Sequence, residues 1–187
     1  MKKGIIIGLL FTCIFASSAR VMTYNLLNYD DDNSRETYFI TIINFVNPNI
    51  IVAEEVQSQT GYSHFKSDVL DVANPNEWSG ATFTNQSASQ DIALYYQHDL
   101  FTFISTSTIN TAQSSGTRDV VEWVMMHNDS EIEFRIYGVH LKASSGDENA
   151  QQRLAETTIL RDYLNTLPAG SEFIVAGDFN IYSNSSS

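Results

Sequence analysis

The chain has 187 residues, which is the size of one ordinary domain. Hydrophobic residues make up 43% of the chain and charged residues 17%, so the composition favours a packed core over disorder. Ten Lys and Arg residues against 22 Asp and Glu residues give a formal net charge of -12, which argues against a nucleic-acid coat protein or a basic membrane-surface module.

The first nineteen residues have the pattern of a secretory signal peptide. Two lysines precede an apolar run at residues 5–15, and residues 16–19 are small, as a signal peptidase requires. The run is shorter than the ~20 residues needed to cross a bilayer, so we expect no stable membrane anchor. We predict cleavage after residues 1–19, which contain the only cysteine, and a secreted or periplasmic domain at residues 20–187. A buried amino-terminal strand is the alternative.

The first half of the remaining chain alternates predicted strands with predicted helices. A strand is predicted at residues 20–27, followed by an acidic turn. Ser34 is the predicted N-cap of a helix that Pro48 ends. The short apolar run Ile50–Ala53 is typical of a strand covered on both faces, and a less regular helical repeat follows at residues 62–72.

The second half is richer in predicted strands. They are predicted at residues 81–84, 91–96, 101–104, 120–126, 132–141 and 173–176, with the fourth and fifth forming a hairpin. The clearest helical repeat lies at residues 151–167. Because strands outnumber helices and helices occur at intervals, we expect an α+β fold, a two-sheet β-sandwich flanked by helices.

Polar side chains end several of these strands, where ligands usually bind in layered α/β folds. Asn25 lies in the first predicted strand, where an amide is unfavourable unless it is hydrogen-bonded. Glu54 and Glu55 follow the apolar run, and strand alternation points their carboxylates to opposite sides. A turn cap and an exposed loop are the plainer explanations of these residues.

Two later segments add groups suited to phosphate or metal. His140 and Lys142 are two residues apart in an extended segment, so both are expected on one face as a phosphate cradle. Asp178 and Asn180 share one side beyond the last predicted strand, after Gly177, which permits a sharp turn. A structural histidine and a simple Asx turn remain alternatives for each motif taken alone.

In this order, the four motifs resemble the endonuclease/exonuclease/phosphatase superfamily. They are Tyr-Asn-Leu at 24–26, Val-Ala-Glu-Glu-Val at 52–56, Gly-Val-His-Leu-Lys at 138–142 and Gly-Asp-Phe-Asn at 177–180. The resemblance implies a deoxyribonuclease-like four-layer α/β sandwich and a Mg²⁺-dependent phosphoesterase, with a secreted nuclease acting on nucleic acid as the preferred activity. Lipid or sugar-phosphate phosphoesterases of the same superfamily, and a catalytically defunct secreted binding module, are the alternatives.

The resemblance also assigns a metal site. Glu55, rather than Glu54, is the implied Mg²⁺ ligand, because the family's metal-binding Glu directly precedes the Val. Asn25 is implied to support this site, and Mn²⁺ or Ca²⁺ are alternative metals. Mg²⁺ binds through one or two carboxylates and keeps several waters, which agrees with such a sparse set.

The remaining roles concern the phosphate. Asp178 and Asn180 are implied to hold the attacking water and the phosphate, and His140 to hydrogen-bond the scissile phosphate. Arg118 stands where some nuclease members keep a phosphate-contacting arginine, and Lys142 is a second candidate phosphate-binding cation.

Family members continue past Gly-Asp-Phe-Asn with another site Asp and a terminal Asp-His pair, whereas this sequence ends at Ser187. We therefore expect an incomplete domain without its C-terminal strands, and weaker hydrolysis than a longer relative shows.

Overall fold

The computed structural model describes residues 18–31, 34–86 and 88–182. Most of the predicted signal peptide, residues 1–17, lies outside this part of the chain. The strands are β1 (Val21–Tyr29), β2 (Ile50–Val56), β3 (Trp78–Gly80), β4 (Asp91–Gln97), β5 (Phe101–Ile109), β6 (Val120–His127), β7 (Ile132–His140) and β8 (Phe173–Asp178). The helices are α1 (Glu36–Val46), α2 (Gln59–His64), α3 (Asp71–Ala73) and α4 (Asp147–Leu164), and a π-helical segment (Phe65–Leu70) joins α2 to α3.

The strands form two four-stranded sheets. The first has the order β1-β2-β4-β3 and the second the order β5-β6-β7-β8. Within them β1 is parallel to β2 and β7 is parallel to β8, while the other neighbours are antiparallel. The predicted α+β fold, a two-sheet sandwich flanked by helices, is confirmed.

Three apolar layers hold the sandwich together. Between the sheets, Val52 and Leu94 of the first sheet meet Trp123 and Ile136 of the second. The outer face of the first sheet packs against α1 and the π-helical segment through residues that include Phe39, Ile43, Phe65 and Val69. The outer face of the second sheet packs against α4 through Tyr137, Val139, Leu160 and Leu164. Strand alternation thus gives each sheet two buried faces and produces four layers.

Several predicted boundaries differ from the structure. Residues 81–84 are not a strand, because the pairing partner of β4 is the earlier segment Trp78–Gly80 and the ladder ends where the Ala81 amide donates to Leu94. Helix α1 begins at Glu36 with Arg35, not Ser34, at its N-cap position. The hairpin of β6 and β7 is confirmed.

Helix α4 begins four residues before its predicted start. Asp147 and Glu148 occupy its first turn, where negative charge favours a helix N-terminus. Within the described ranges, no helix is long and apolar enough to cross a membrane.

The topology brings four strands to one end of the sandwich. Asn25 of β1 and Glu55 of β2 lie towards the carboxyl ends of two parallel strands, and His140 and Asp178 end the parallel pair β7 and β8. The Asn25 amide reaches the Asp178 carboxylate across the gap between the sheets. Segments far apart in the sequence therefore meet at this end of the sandwich, as expected for the carboxyl ends of parallel strands.

Candidate metal and phosphate site

The backbone is irregular at the end of the sandwich where Asn25, Glu55, His140 and Asp178 meet. Glu55 has a φ of 63°, and Leu27 and Asn28 have φ values of 52° and 55°. The register between β1 and β2 shifts between Asn25 and Tyr29. Non-glycine residues in the left-handed region cost of order 1–3 kcal/mol each, so such a cluster indicates a site that the surrounding structure holds in place.

Two carboxylates share one amide donor. The Nδ2 of Asn25 donates to Oε1 of Glu55 at 3.0 Å and to Oδ2 of Asp178 at 3.3 Å. The Leu27 amide donates to Oδ1 of Asn25 at 2.9 Å, which directs the Asn25 NH₂ group towards the carboxylates. The Asn28 amide donates to the second oxygen of Glu55 at 3.0 Å. The structure thus brings together Asn25, Glu55 and Asp178.

A tight approach between β7 and β8 positions Asp178. Gly177 has a φ of 140°, and a Cβ atom there would lie 2.0 Å from the Val139 carbonyl oxygen, so a side chain cannot be accommodated. The Asn180 amide donates to Oδ1 of Asp178 at 2.9 Å, and the Asn180 side chain donates to the Leu141 carbonyl at 3.0 Å. Asn180 therefore orients Asp178 and the chain after β7.

An arginine and a histidine lie beside the carboxylates. Nη2 of Arg118 contacts Nδ1 of His140 at 3.0 Å, and Nε2 of His140 lies 4.0 Å from Oε1 of Glu55. Both residues are buried, and the Nε of Arg118 has no hydrogen-bond partner among the described residues. Burial lowers the pKa of His140, and the Arg118 charge lowers it further. The neutral ring therefore predominates at pH 7, while Arg118 keeps its charge.

The Lys142 ammonium bonds to its neighbour in the chain rather than to this cluster. Strand β7 ends at His140, so the alternation that predicted a shared face no longer applies two residues later. The Lys142 ammonium donates to the Ala143 carbonyl at 3.1 Å, and the Lys142 amide donates to Glu156. The structure does not show the expected cradle of His140 and Lys142.

Two neighbours of the site were given no role from the sequence: Gln90, which no motif contains, and Glu54, which was set aside in favour of Glu55. Gln90 donates from Nε2 to Oε2 of Glu55 at 3.3 Å, but it lies in a polar turn with no motif to mark it. Glu54 is 1% exposed, and the register of β2 against β4 shifts at Glu55, so regular strand alternation does not continue through this pair. Burial, together with the charge of Asp178, raises the pKa of Glu54 to about 8.

The donor set fits a hard divalent cation. Glu55 and Asp178 offer carboxylate oxygens, and the Glu55 side chain is 13% exposed, so an ion can reach it. Among the described residues no group of three or more His, Cys, Asp and Glu side chains is arranged to hold a metal. Mg²⁺ needs no such group, because it binds through one or two carboxylates and retains water, whereas a structural zinc site requires four protein ligands.

Comparison with solved structures defines the fold. The chain is similar to an endonuclease/exonuclease/phosphatase family protein from Bacteroides thetaiotaomicron, with a TM-score of 0.65 and 16% identity over 88% of this chain and 64% of that one. It is also similar to D. rerio TDP2 complexed with a single-strand DNA product, with a TM-score of 0.66 and 11% identity over 88% and 62% of the two chains. The chain has the fold of the endonuclease/exonuclease/phosphatase superfamily.

A third similar structure is the mannosyl-6-phosphatase of Bacteroides thetaiotaomicron, with a TM-score of 0.65 and 18% identity over 88% of this chain and 66% of that one. The chain thus spans a little under two thirds of the length of these three structures. No protein-family model matches the sequence, and no curated protein does.

Proposed function

We propose that the protein is a divalent-metal-dependent phosphoesterase whose preferred substrate is a phosphodiester of nucleic acid. One observation carries this proposal. Two carboxylates joined by the Asn25 amide lie beside a buried arginine and a histidine whose pKa is lowered. Oxygen ligands for a hard cation next to fixed donors for an anion are the parts that phosphate-ester hydrolysis needs.

Each side chain then has a defined task. Glu55 would hold Mg²⁺, or Mn²⁺ or Ca²⁺ in its place, with Asn25 fixing the orientation of its carboxylate. When bound, the metal supplies Lewis-acid stabilisation of negative charge on the phosphate. Arg118 and the neutral ring of His140 donate hydrogen bonds to phosphate oxygens, and Asp178 accepts a hydrogen bond from the attacking water and so orients it.

The choice of nucleic acid rests on two further points. The similar TDP2 structure is complexed with a single-strand DNA product. Trp78 and Trp123, which the sequence offered as candidate membrane contacts, are buried at 2% and 1% exposure and so cannot supply such contacts. The similarity to a mannosyl-6-phosphatase makes a sugar phosphate the second candidate substrate.

A cleavage assay tests this proposal. The protein is used in excess over an end-labelled single-stranded oligonucleotide, with Mg²⁺ or with EDTA, and in parallel over mannose 6-phosphate. We expect Mg²⁺-dependent oligonucleotide cleavage that Glu55→Gln and Asp178→Asn abolish. Glu77→Gln, which alters a carboxylate that accepts from Gln97 outside the site, is the control and should keep full activity.

Other outcomes of this assay would change the conclusion. Release of phosphate from the sugar alone would move the substrate to the second candidate. Metal-independent cleavage, or cleavage that survives Glu55→Gln, would contradict the proposed site. Oligonucleotide binding without turnover would favour a binding module. If an Arg118→Ala, Lys142→Ala double variant binds DNA unchanged at low salt, these cations do not form the phosphate-binding surface.

We also propose that the protein is exported, to the periplasm or the medium, by the signal peptide at residues 1–19. Fusion of these residues to a reporter enzyme that works only outside the cytoplasm should give activity. A reporter that stays inactive would contradict export.

A further inference from the structure

We propose that Gln90 is a positioning residue that couples the metal-binding carboxylate to the phosphate-binding arginine. This inference rests on the proposed function and adds to it a residue that none of the four motifs contains. Gln90 lies directly before β4, between the strand end that carries Glu55 and the loop that carries Arg118.

The Gln90 side chain contacts both halves of the site. Its Nε2 donates to Oε2 of Glu55 at 3.3 Å and to Oδ1 of Asn28 at 2.6 Å. Its Oε1 accepts from Nη2 of Arg118 at 3.4 Å. The same Nη2 of Arg118 contacts His140. One amide therefore connects the Glu55 carboxylate to Arg118, which in turn contacts His140.

The backbone holds this amide in place. Gln90 has a φ of 71°, in the left-handed region that a non-glycine residue adopts only when its surroundings require it. The next residue, Asp91, is fully buried, and its carboxylate accepts from the Gln86 amide at 3.1 Å, which fixes the end of the loop. The strained position is thus supported from within the sheet.

The chemistry of the position favours an amide over other side chains. The NH₂ group meets a carboxylate and the carbonyl oxygen meets a guanidinium, so a neutral group satisfies both charges. A carboxylate at this position would repel Glu55, and an ammonium would repel Arg118. Residues that orient a metal ligand in this way typically contribute 10–100-fold to metal affinity.

The test uses Gln90→Met, which keeps the length of the side chain and removes its three hydrogen bonds, to Glu55, Asn28 and Arg118. Calorimetry measures the affinity of the full chain for Mg²⁺ alone, and separately its affinity for inorganic phosphate without metal. We expect the Mg²⁺ affinity to fall about 10-fold. We expect the phosphate affinity to fall about 5-fold, because Arg118 loses an orienting partner.

Gln97→Met is the matched control, because Gln97 lies at the other end of β4, donates to the Glu77 carboxylate at 2.8 Å and accepts from Asn49. It should lose stability to a similar degree and leave both affinities within twofold of the unchanged protein. This separates positioning from a general effect on folding. Gln90→Ala removes the same hydrogen bonds and gives the same test should Gln90→Met fail to fold.

The outcomes separate this inference from the function on which it rests. If the unchanged protein binds Mg²⁺ and phosphate and Gln90→Met binds both within twofold of it, the role of Gln90 is refuted and the proposed function stands. Loss of only one of the two affinities would refute the coupling. If the unchanged protein binds no Mg²⁺ at millimolar concentration, the proposed function fails and this inference fails with it.

Discussion

Replacement of Asn25 by Asp should destabilise the metal-free protein and strengthen its response to Mg²⁺. The Nδ2 of Asn25 is the shared donor to Glu55 and Asp178, at 3.0 and 3.3 Å. Asp has nearly the same shape but offers no donor when ionised, so Asn25→Asp places three carboxylates where an amide had separated two.

The magnitude follows from the two lost hydrogen bonds. A hydrogen bond to a charged group contributes about 1.5–3 kcal/mol to stability. Because the site is partly open to water, which replaces part of this interaction, we expect a total loss of about 2–4 kcal/mol in the free energy of unfolding. The loss should shrink as the pH is lowered, because the introduced carboxyl, whose pKa the two neighbouring carboxylates raise, then takes up a proton and donates again.

Urea unfolding in EDTA and in saturating Mg²⁺ measures both effects. A ligand at 100 times its Kd adds about 2.7 kcal/mol to stability, and the variant should gain more than the unchanged protein because it offers the ion an additional carboxylate. Asn49→Asp is the control, since the Asn49 amide donates to the neutral Gln97 at 2.8 Å at the other end of the sheet. Equal stability of Asn25→Asp and the unchanged protein in EDTA, or equal gains in Mg²⁺, would refute the reasoning.

Three further predictions concern single groups of the site. Burial raises the pKa of Glu54 to about 8 in the folded chain, against 4.5 for a free side chain. Between these two pH values the folded state binds more protons than the unfolded state. The free energy of unfolding should therefore fall as the pH rises from 4.5 to 8, by up to about 1.4 kcal/mol per pH unit. Denaturation of Glu54→Gln in EDTA should lose this slope, and an unchanged slope would show that Glu54 is ionised when folded. Gly177→Ala should cost more than about 3 kcal/mol in urea unfolding because of its backbone clash, whereas Gly116→Ala, with no atom within 4 Å, should be nearly neutral. Arg118→Met should raise the pKa of His140 towards 6.5, because the substitution removes a cation that disfavours the imidazolium form. An NMR titration measures this pKa. A pKa that stays the same or falls would show that burial alone lowers the pKa of His140.

Much of the fold follows from local pattern. The apolar run of β2, the β6–β7 hairpin and the apolar repeat of α4 are visible in the sequence because burial on a strand or helix imposes a fixed period. For the short strand β3, the apolar pattern predicts residues 81–84, whereas the strand is Trp78–Gly80. Its position depends on pairing with β4, and no local period records that pairing.

Some residues of the candidate site can be identified from the sequence and others cannot. Asn25, Glu55, His140 and Asp178 lie at strand ends within short motifs, and the structure brings them together. Gln90 reaches Glu55 only because two strands and a loop converge, so no spacing rule identifies it. For Lys142 the spacing rule predicts a shared face with His140 that the structure does not show, since the two-residue period holds only while the strand continues.

Crystals soaked in Mn²⁺ and measured at the manganese absorption edge test the central claim most directly. Mn²⁺ takes the same oxygen ligands as Mg²⁺, and its anomalous signal locates it. We expect one peak at coordination distance from the Glu55 carboxylate, on the side that faces Asp178, and none there in Glu55→Gln. A soaked crystal with no peak at Glu55, or with the peak unchanged in Glu55→Gln, would contradict a metal site at this edge of the sandwich.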